Sequence, residues 1–183
     1  MNRKSIKLGS KLLEIVLGDI TNQPDIEAIV NSANRDLKPG GGVSGAIHKK
    51  AGPQLYESSK KLAPIKVSQA VITEGFNLPN KYVIHTLGPV FGVDKPESEL
   101  LKQTYINCIQ LADKYNIKSI AFPSISTGIF GYPIESASHI AIKTIETELP
   151  KTKIDLVRIV LYTLEDYKVY EGVVAQKDRA LPS

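Results

Sequence analysis

Cysteine is almost missing from this chain: Cys108 stands alone among 183 residues. No internal disulfide can form, and a reducing, cytoplasmic setting is the expectation. Also missing is any run of roughly 18 consecutive apolar residues, the length a membrane span needs. Charged residues, 23% of the composition, interrupt the apolar ones throughout. Arg3 and Lys4 near the amino terminus have no apolar stretch or small-residue cleavage site behind them, which argues against a secretory signal. The 13 Gly and 11 Pro follow no repeating period, excluding a collagen-like or low-complexity polymer, and 42% hydrophobic content excludes intrinsic disorder. A stripe of Arg and Lys interleaved with aromatics is lacking as well, since Lys49-Lys50 and Lys60-Lys61 are the only adjacent basic pairs beyond the amino terminus. The net charge of +4 and pI near 9.0 therefore favour anionic partners through a general field, not through a nucleic-acid groove. What these absences leave is one soluble domain, expected over residues 1–177 with a loose tail at 178–183.

Apolar residues on both sides of Gly9-Ser10 predict a hairpin over 5–17. Further strands are predicted over 26–30, 69–73, 82–86, 119–125 and 156–162. Helices are predicted over 43–62, broken at Gly52-Pro53, and over 97–116, 135–149 and 165–176. Leu101, Tyr105, Cys108, Ala112 and Tyr115 recur at helical spacing and define one inward face. This makes Cys108 a core residue, with no partner base nearby in sequence to activate it. In the fourth helix Ile140, Ala141, Ile145 and Leu149 are expected inward. Strands alternating with helices predict an α/β fold, a mixed central sheet covered on both faces by helices, with the hairpin at one edge. Ligands of such sheets sit beyond the carboxyl ends of the strands.

Three loops rich in glycine and small polar residues follow predicted strands. Gly40-Gly41-Gly42 precedes a helix, so several backbone N–H groups and the positive helix end can aim at one anion. Ser126-Thr127-Gly128-Ile129-Phe130 offers amides between glycines and a ring for stacking. Asp19, in Gly18-Asp19-Ile20-Thr21, can accept a hydrogen bond from an exocyclic amine, or serve as a turn residue. Two amide-rich loops facing one crevice suit a pyrophosphate. The pattern matches neither a P-loop nor a dinucleotide fingerprint.

The strings Leu17-Gly18-Asp19-Ile20-Thr21, Ala28-Ile29-Val30-Asn31-Ser32-Ala33-Asn34, Gly40-Gly41-Gly42-Val43-Ser44-Gly45-Ala46-Ile47-His48 and Pro123-Ser124-Ile125-Ser126-Thr127-Gly128-Ile129-Phe130-Gly131-Tyr132-Pro133 occur in the order found in macrodomains. From residue 12 to about 174 the chain resembles that family, whose helix-sheet-helix sandwich binds ADP-ribose. The resemblance implies that Asp19 and Ile20 contact adenine, that Gly41, Gly42 and Val43 form one phosphate loop and Ser126, Thr127, Gly128, Ile129 and Phe130 the other. It further implies that Asn34 bonds the distal ribose with support from Asn31, and that Tyr162 packs on adenine, a core tyrosine being the alternative reading.

Ser44 departs from the pattern: the hydrolytic MacroD-type branch usually has aspartate there, and serine is no general base without a partner. His48, one turn after Ser44, orients a water or the ribose, or is a supporting helix histidine. Asn34, Ser44 and His48 are thus the residues at which catalysis is expected. His85 in a strand and His139 on a helix lack Cys or acidic partners at ligand spacing, so neither metal nor cofactor is expected. The resemblance implies a hydrolase of ADP-ribosyl esters, namely O-acetyl-ADP-ribose and mono-ADP-ribosylated acidic side chains of proteins, or of ADP-ribose 1''-phosphate. The rival is a reader that binds ADP-ribose without turning it over.

Overall fold

The computed structural model describes residues 2–180. Its elements are β1 (Arg3–Leu8), β2 (Lys11–Leu17), β3 (Ala28–Ser32), α1 (Gly42–Ala51), α2 (Gln54–Ser59), β4 (Ala70–Glu74), β5 (Tyr82–Thr86), α3 (Glu97–Lys114), β6 (Ser119–Phe122), α4 (Ile134–Glu148), β7 (Leu156–Leu161) and α5 (Leu164–Ala180). The strands form a seven-stranded sheet in the order β1-β2-β7-β6-β3-β5-β4. The five central strands are parallel, and each edge strand, β1 and β4, is antiparallel to its neighbour. The hairpin therefore contributes only β1 as an antiparallel edge, because β2 continues parallel to β7. No helix among the described residues is long and apolar enough to cross a membrane.

Alternation along each strand splits the core in two. Leu13, Ile15, Val30, Ile84, Phe122 and Ile159 face α3, α4 and α5. Val16, Ile29, Val83, Ala121 and Val160 face α1 and α2. On α3, Leu101, Tyr105, Cys108 and Ala112 are buried as their spacing requires, and burial pushes the Cys108 thiol up to about 12. Tyr115 is not inward: it falls just past the end of α3, is 45% exposed, and packs its ring edge-on against Tyr82. Ile140 is only half-buried, at the rim of the larger core.

Other differences have local causes. Strand β3 begins at Ala28, not Ile26, because residues 20–27 fold into a loop over the sheet, held by Asn22 N to Asp19 O and Ile26 N to Gln23 O. Strand β6 stops at Phe122 because Pro123 has no N–H to continue the ladder. Helix α5 extends through Ala180, so 178–180 lie in helix rather than in a tail, and 181–183 lie outside the described residues.

Parallel connectivity positions the site. Strands β3 and β6 are neighbours, yet the chain leaves β3 toward α1 on one face and β6 toward α4 on the other. Their loops diverge at this switch of direction and leave a crevice above the strand ends.

Candidate functional site

A cavity of about 350 Å³ occupies that crevice, lined by Ser32, Ala33, Asn34, Gly40, Gly41, Gly42, Val43 and Ser44 from the β3 side and by Ser124, Ser126, Gly128, Ile129 and Phe130 from the β6 side. The two glycine-rich loops singled out in the sequence thus face each other. Helix α1 begins at this cavity with Gly41 as its N-cap, a residue with no side chain to bond the first-turn amides. Those amides carry the positive end of the helix toward the cavity. Glycine is required for packing at Gly45, where a Cβ would lie 2.3 Å from the Gly40 carbonyl oxygen, whereas a Cβ on Gly41 would meet nothing within 4 Å.

The opposite loop closes on itself. Tyr132 N donates to Ser126 O at 2.9 Å, Gly131 N to Gly128 O at 3.0 Å and Thr127 Oγ1 to Ser124 O at 2.9 Å. None of these closures uses the amides of 126–130. Ser126 adopts a φ of +67°, and Gly88 lets it approach, since a Cβ there would lie 2.3 Å from Ser126 Oγ. Phe130 is partly buried at the wall, and Ile129 is 99% exposed at the rim.

Asn34 lines the cavity, but its amide is already engaged: Nδ2 donates to Lys38 O at 2.8 Å and Oδ1 accepts from Lys38 N at 3.0 Å. The side chain clasps the turn through Leu37, whose φ is +56°, and retains one N–H and one lone pair for anything else. Ser44 Oγ, in the first turn of α1, is buried and has no protein partner.

His48 lies one turn further along α1, buried, with both ring nitrogens unpartnered, and desolvation lowers its pKa. Beneath it, His85 on β5 is locked between Asn31 Nδ2, 3.2 Å from its Nδ1, and Thr73 Oγ1, 2.9 Å from its Nε2. With Asn31 donating, Nδ1 is the acceptor and Nε2 carries the proton. Burial and then the neighbouring His48 push His85 down to about 3, so both rings are neutral near pH 7. Asn31 is therefore a buried partner of His85, next in sequence to the cavity-lining Ser32, with its Oδ1 unpartnered. His139 is exposed on α4, away from this cluster.

At the other end, Asp19 is exposed and its Oδ1 accepts from Thr21 N at 2.8 Å and Thr21 Oγ1 at 2.7 Å, the local turn that the sequence left open as an alternative. Ile20 is buried in the two-helix core. Tyr162 is 82% exposed just beyond β7, which removes the core-tyrosine alternative. Asp19, Ile20, Asn31, His48, Thr127 and Tyr162 do not line the cavity itself.

Two supports went unread in the sequence. Arg158 on β7 sits opposite Glu14 on β2 and is buried. Its Nε donates to Glu14 at 2.7 Å, its Nη1 to Gln23 at 2.9 Å, and Nη1 and Nη2 to Asp25 at 2.8 and 2.7 Å. Gln23 in turn donates to the Asp19 carbonyl at 2.9 Å, so one buried guanidinium anchors the whole 19–25 loop. The signal was a charge in the middle of each of two apolar runs on adjacent strands, Glu14 within 12–17 and Arg158 within 156–161. The second support is a pair of fully buried tyrosines: the Tyr105 hydroxyl accepts from Ile125 N at 3.3 Å, and the Tyr170 hydroxyl is 2.9 Å from Ser124 Oγ. Both reach through the three-helix core to the base of the 124–130 loop.

Comparison with known proteins agrees with this architecture. The profile described as Macro domain matches residues 30–141. A macro domain-containing protein of Caldanaerobacter subterraneus is 44% identical over 172 residues, covering 91% of this chain and 98% of its own. A protein named O-acetyl-ADP-ribose deacetylase from Salmonella newport is 42% identical over 171 residues, covering 90% and 95%. The structure of the Oceanobacillus iheyensis macrodomain with ADP superimposes with a TM-score of 0.92 at 38% identity, over 98% of each chain. With its switch-point crevice, paired glycine loops and these relatives spanning nearly its full length, the chain belongs to the macro domain family.

Proposed function

We propose that this protein binds ADP-ribose in the β3–β6 crevice and hydrolyses ADP-ribosyl esters, with O-acetyl-ADP-ribose as the reference substrate. The observation that carries the reading is the pairing of an α1 N-terminus uncapped by any side chain with the opposing 126–130 amides across one cavity. Free amides converging from two sides suit the two charges of a pyrophosphate. Gly41, Gly42 and Val43 take one phosphate, and Ser126, Thr127, Gly128, Ile129 and Phe130 the other. Asp19 offers its remaining carboxylate oxygen to the adenine amine beside Ile20, and exposed Tyr162 is free to cover the base. The distal ribose then lies toward Asn34 and Ser44.

Hydrolysis requires a water oxygen to bond the acyl carbon while the bond to the ribose oxygen breaks. Ser44 stands where related hydrolases usually carry aspartate, and its unpartnered Oγ can hold a water but cannot take its proton. The neutral His48 ring can accept or donate a hydrogen bond nearby, and a substrate phosphate oxygen can receive the water's proton and return one to the departing ribose oxygen, so that the products are a carboxylic acid and free ADP-ribose. Catalysis on this reading rests mainly on positioning. Mono-ADP-ribosylated acidic side chains and ADP-ribose 1''-phosphate present the same moiety to the same loops. Ser44 also supports a second reading, a module that binds ADP-ribose and releases nothing.

Incubation with O-acetyl-ADP-ribose and with an ADP-ribosylated carboxylate peptide separates the two readings: free ADP-ribose appears for a hydrolase and not for a reader. Gly41→Glu tests the cradle under either reading. The open space around Gly41 lets the variant fold, while its carboxylate fills the anion position, and ADP-ribose affinity should fall by about 100-fold or more. A folded variant that binds normally would refute the loop assignment.

A further inference from the structure

Charge is unevenly spread along this chain. Residues 34–66 hold seven of the 23 Lys and Arg but only two of the 19 acidic residues, a net +5, while the other 150 residues sum to −1. In the sequence these lysines look scattered; the fold gathers part of them on one shoulder of the crevice. Ile65 N donates to Arg35 O at 2.9 Å and Ser59 Oγ to Leu37 O at 3.3 Å, laying segment 35–38 against 59–66. Asn34, in the cavity wall, clasps Lys38 and joins this shoulder to the distal end of the site.

Arg35, Lys38, Lys61 and Lys66 are exposed there and make no ion pair among the described residues, whereas Lys60 beside them is held by Glu57 at 2.6 Å. Only Asp36 opposes them within the two packed segments. Clustered like charges without internal partners repel one another, so the arrangement is relieved by an external anion. None of these four cations is among the residues that line the cavity. The shoulder also lacks a stacking platform: Tyr56 is half-buried with its ring against His48, and the exposed apolar group is the aliphatic Leu62. A single nucleic-acid strand would use exposed aromatic rings. Mobile ammonium groups around an aliphatic patch suit an acidic polypeptide.

We propose that this shoulder is a docking surface for an acidic polypeptide segment, the stretch of protein flanking an ADP-ribosylated carboxylate. The proposal rests on the ADP-ribose reading of the crevice and adds a second, protein-directed contact to it. The test compares affinity for ADP-ribose with affinity for a Glu- and Asp-rich peptide carrying ADP-ribose through a non-hydrolysable linkage, by calorimetry at two salt concentrations. Because it reads binding, it holds for an enzyme and a reader alike.

In the triple variant Arg35→Glu, Lys61→Glu, Lys66→Glu, peptide affinity should fall by about tenfold and lose its salt dependence. Affinity for ADP-ribose should stay unchanged. The corresponding glutamine variant should show a smaller fall in the same direction, keeping the test independent of any misfolding in the first. An equal fall for both ligands would mean that the charges act on the pyrophosphate, and no fall for the peptide would mean that the shoulder is unused. An oligonucleotide that displaces the peptide more strongly than an unmodified acidic peptide does would assign the surface to nucleic acid. Each of these three results overturns the proposal. Failure of the unmodified protein to bind ADP-ribose would instead refute the functional reading beneath it.

Discussion

On the sheet face under α3, α4 and α5, the strands present Leu13, Ile15, Val30, Ile84, Phe122 and Ile159. On the face under α1 and α2, the same strands present Glu14, Asn31, His85 and Arg158 among their apolar residues. Buried polar groups under three helices are few and bonded: Tyr105 and Tyr170 reach loop atoms, and Ser68 Oγ and Thr104 Oγ1 bond each other at 3.0 Å. Of the six buried side-chain polar atoms without a partner among the described residues, five belong to Asn31, Ser44, His48 and Asn80 on the two-helix side. A face covered by two helices and a loop leaves room for groups that water or a ligand must satisfy. The closed face is sealed by apolar packing, and the open one keeps buried polar atoms with hydrogen-bonding capacity to spare.

Removing Arg158 is the strongest way to break this contrast. Arg158→Ala strands buried Glu14 and releases Gln23 and Asp25, and should cost about 3 kcal/mol of stability in urea unfolding. ADP-ribose affinity should fall with it as the 19–25 loop loosens. Replacing both Glu14 and Arg158 by leucine should recover much of the stability but not the affinity; if the double variant is as unstable as the single one, the pair is not what holds this face.

Acid should damage the polar face next. A histidine whose pKa is depressed on folding binds its proton more weakly when folded, so its contribution is complete above the ordinary value near 6.5 and is lost as pH falls below it. For His85, lowered from 6.5 to about 3, the loss between pH 7 and pH 5 should be about 2 kcal/mol, with His48 acting in the same direction. His85→Gln should flatten this slope, and an unchanged slope would place the acid sensitivity elsewhere.

The smallest effect belongs to the closed face. Tyr105→Phe leaves the Ile125 amide without its acceptor and should cost about 1 kcal/mol, with a severalfold loss of ADP-ribose affinity through the 124–130 loop. Thermal melting and calorimetry on the same variant separate the two. Loss of stability with affinity intact would show that the tyrosine supports the core alone.

The two faces were not equally legible in the amino-acid order. Spacing of four, three and four residues placed Leu101, Tyr105, Cys108 and Ala112 correctly on the closed face, because helical periodicity reports burial directly. The same periodicity hid what Tyr105 does, since a buried hydroxyl looks like any aromatic core residue until its partner is known. Glycines marked both cavity walls, Gly40 to Gly42 on one side and Gly128 on the other, because glycine lets the backbone approach a cavity closely. Asn34 was legible as a candidate for the crevice, whose cavity it lines, but not as the clasp of Lys38, which depends on how the turn at Leu37 folds back.

Local order thus determined which segments become strands, helices and glycine-rich loops, since each depends on propensity, period and the positions of glycine and proline. Tertiary structure alone decided which distant residues share a volume: Glu14 opposite Arg158, Asn31 beside His85, Ser124 against Tyr170, Arg35 alongside Ile65. Partners 30 or more residues apart are chosen by strand order and register, which balance the burial of the whole sheet. No short window of sequence carries that balance.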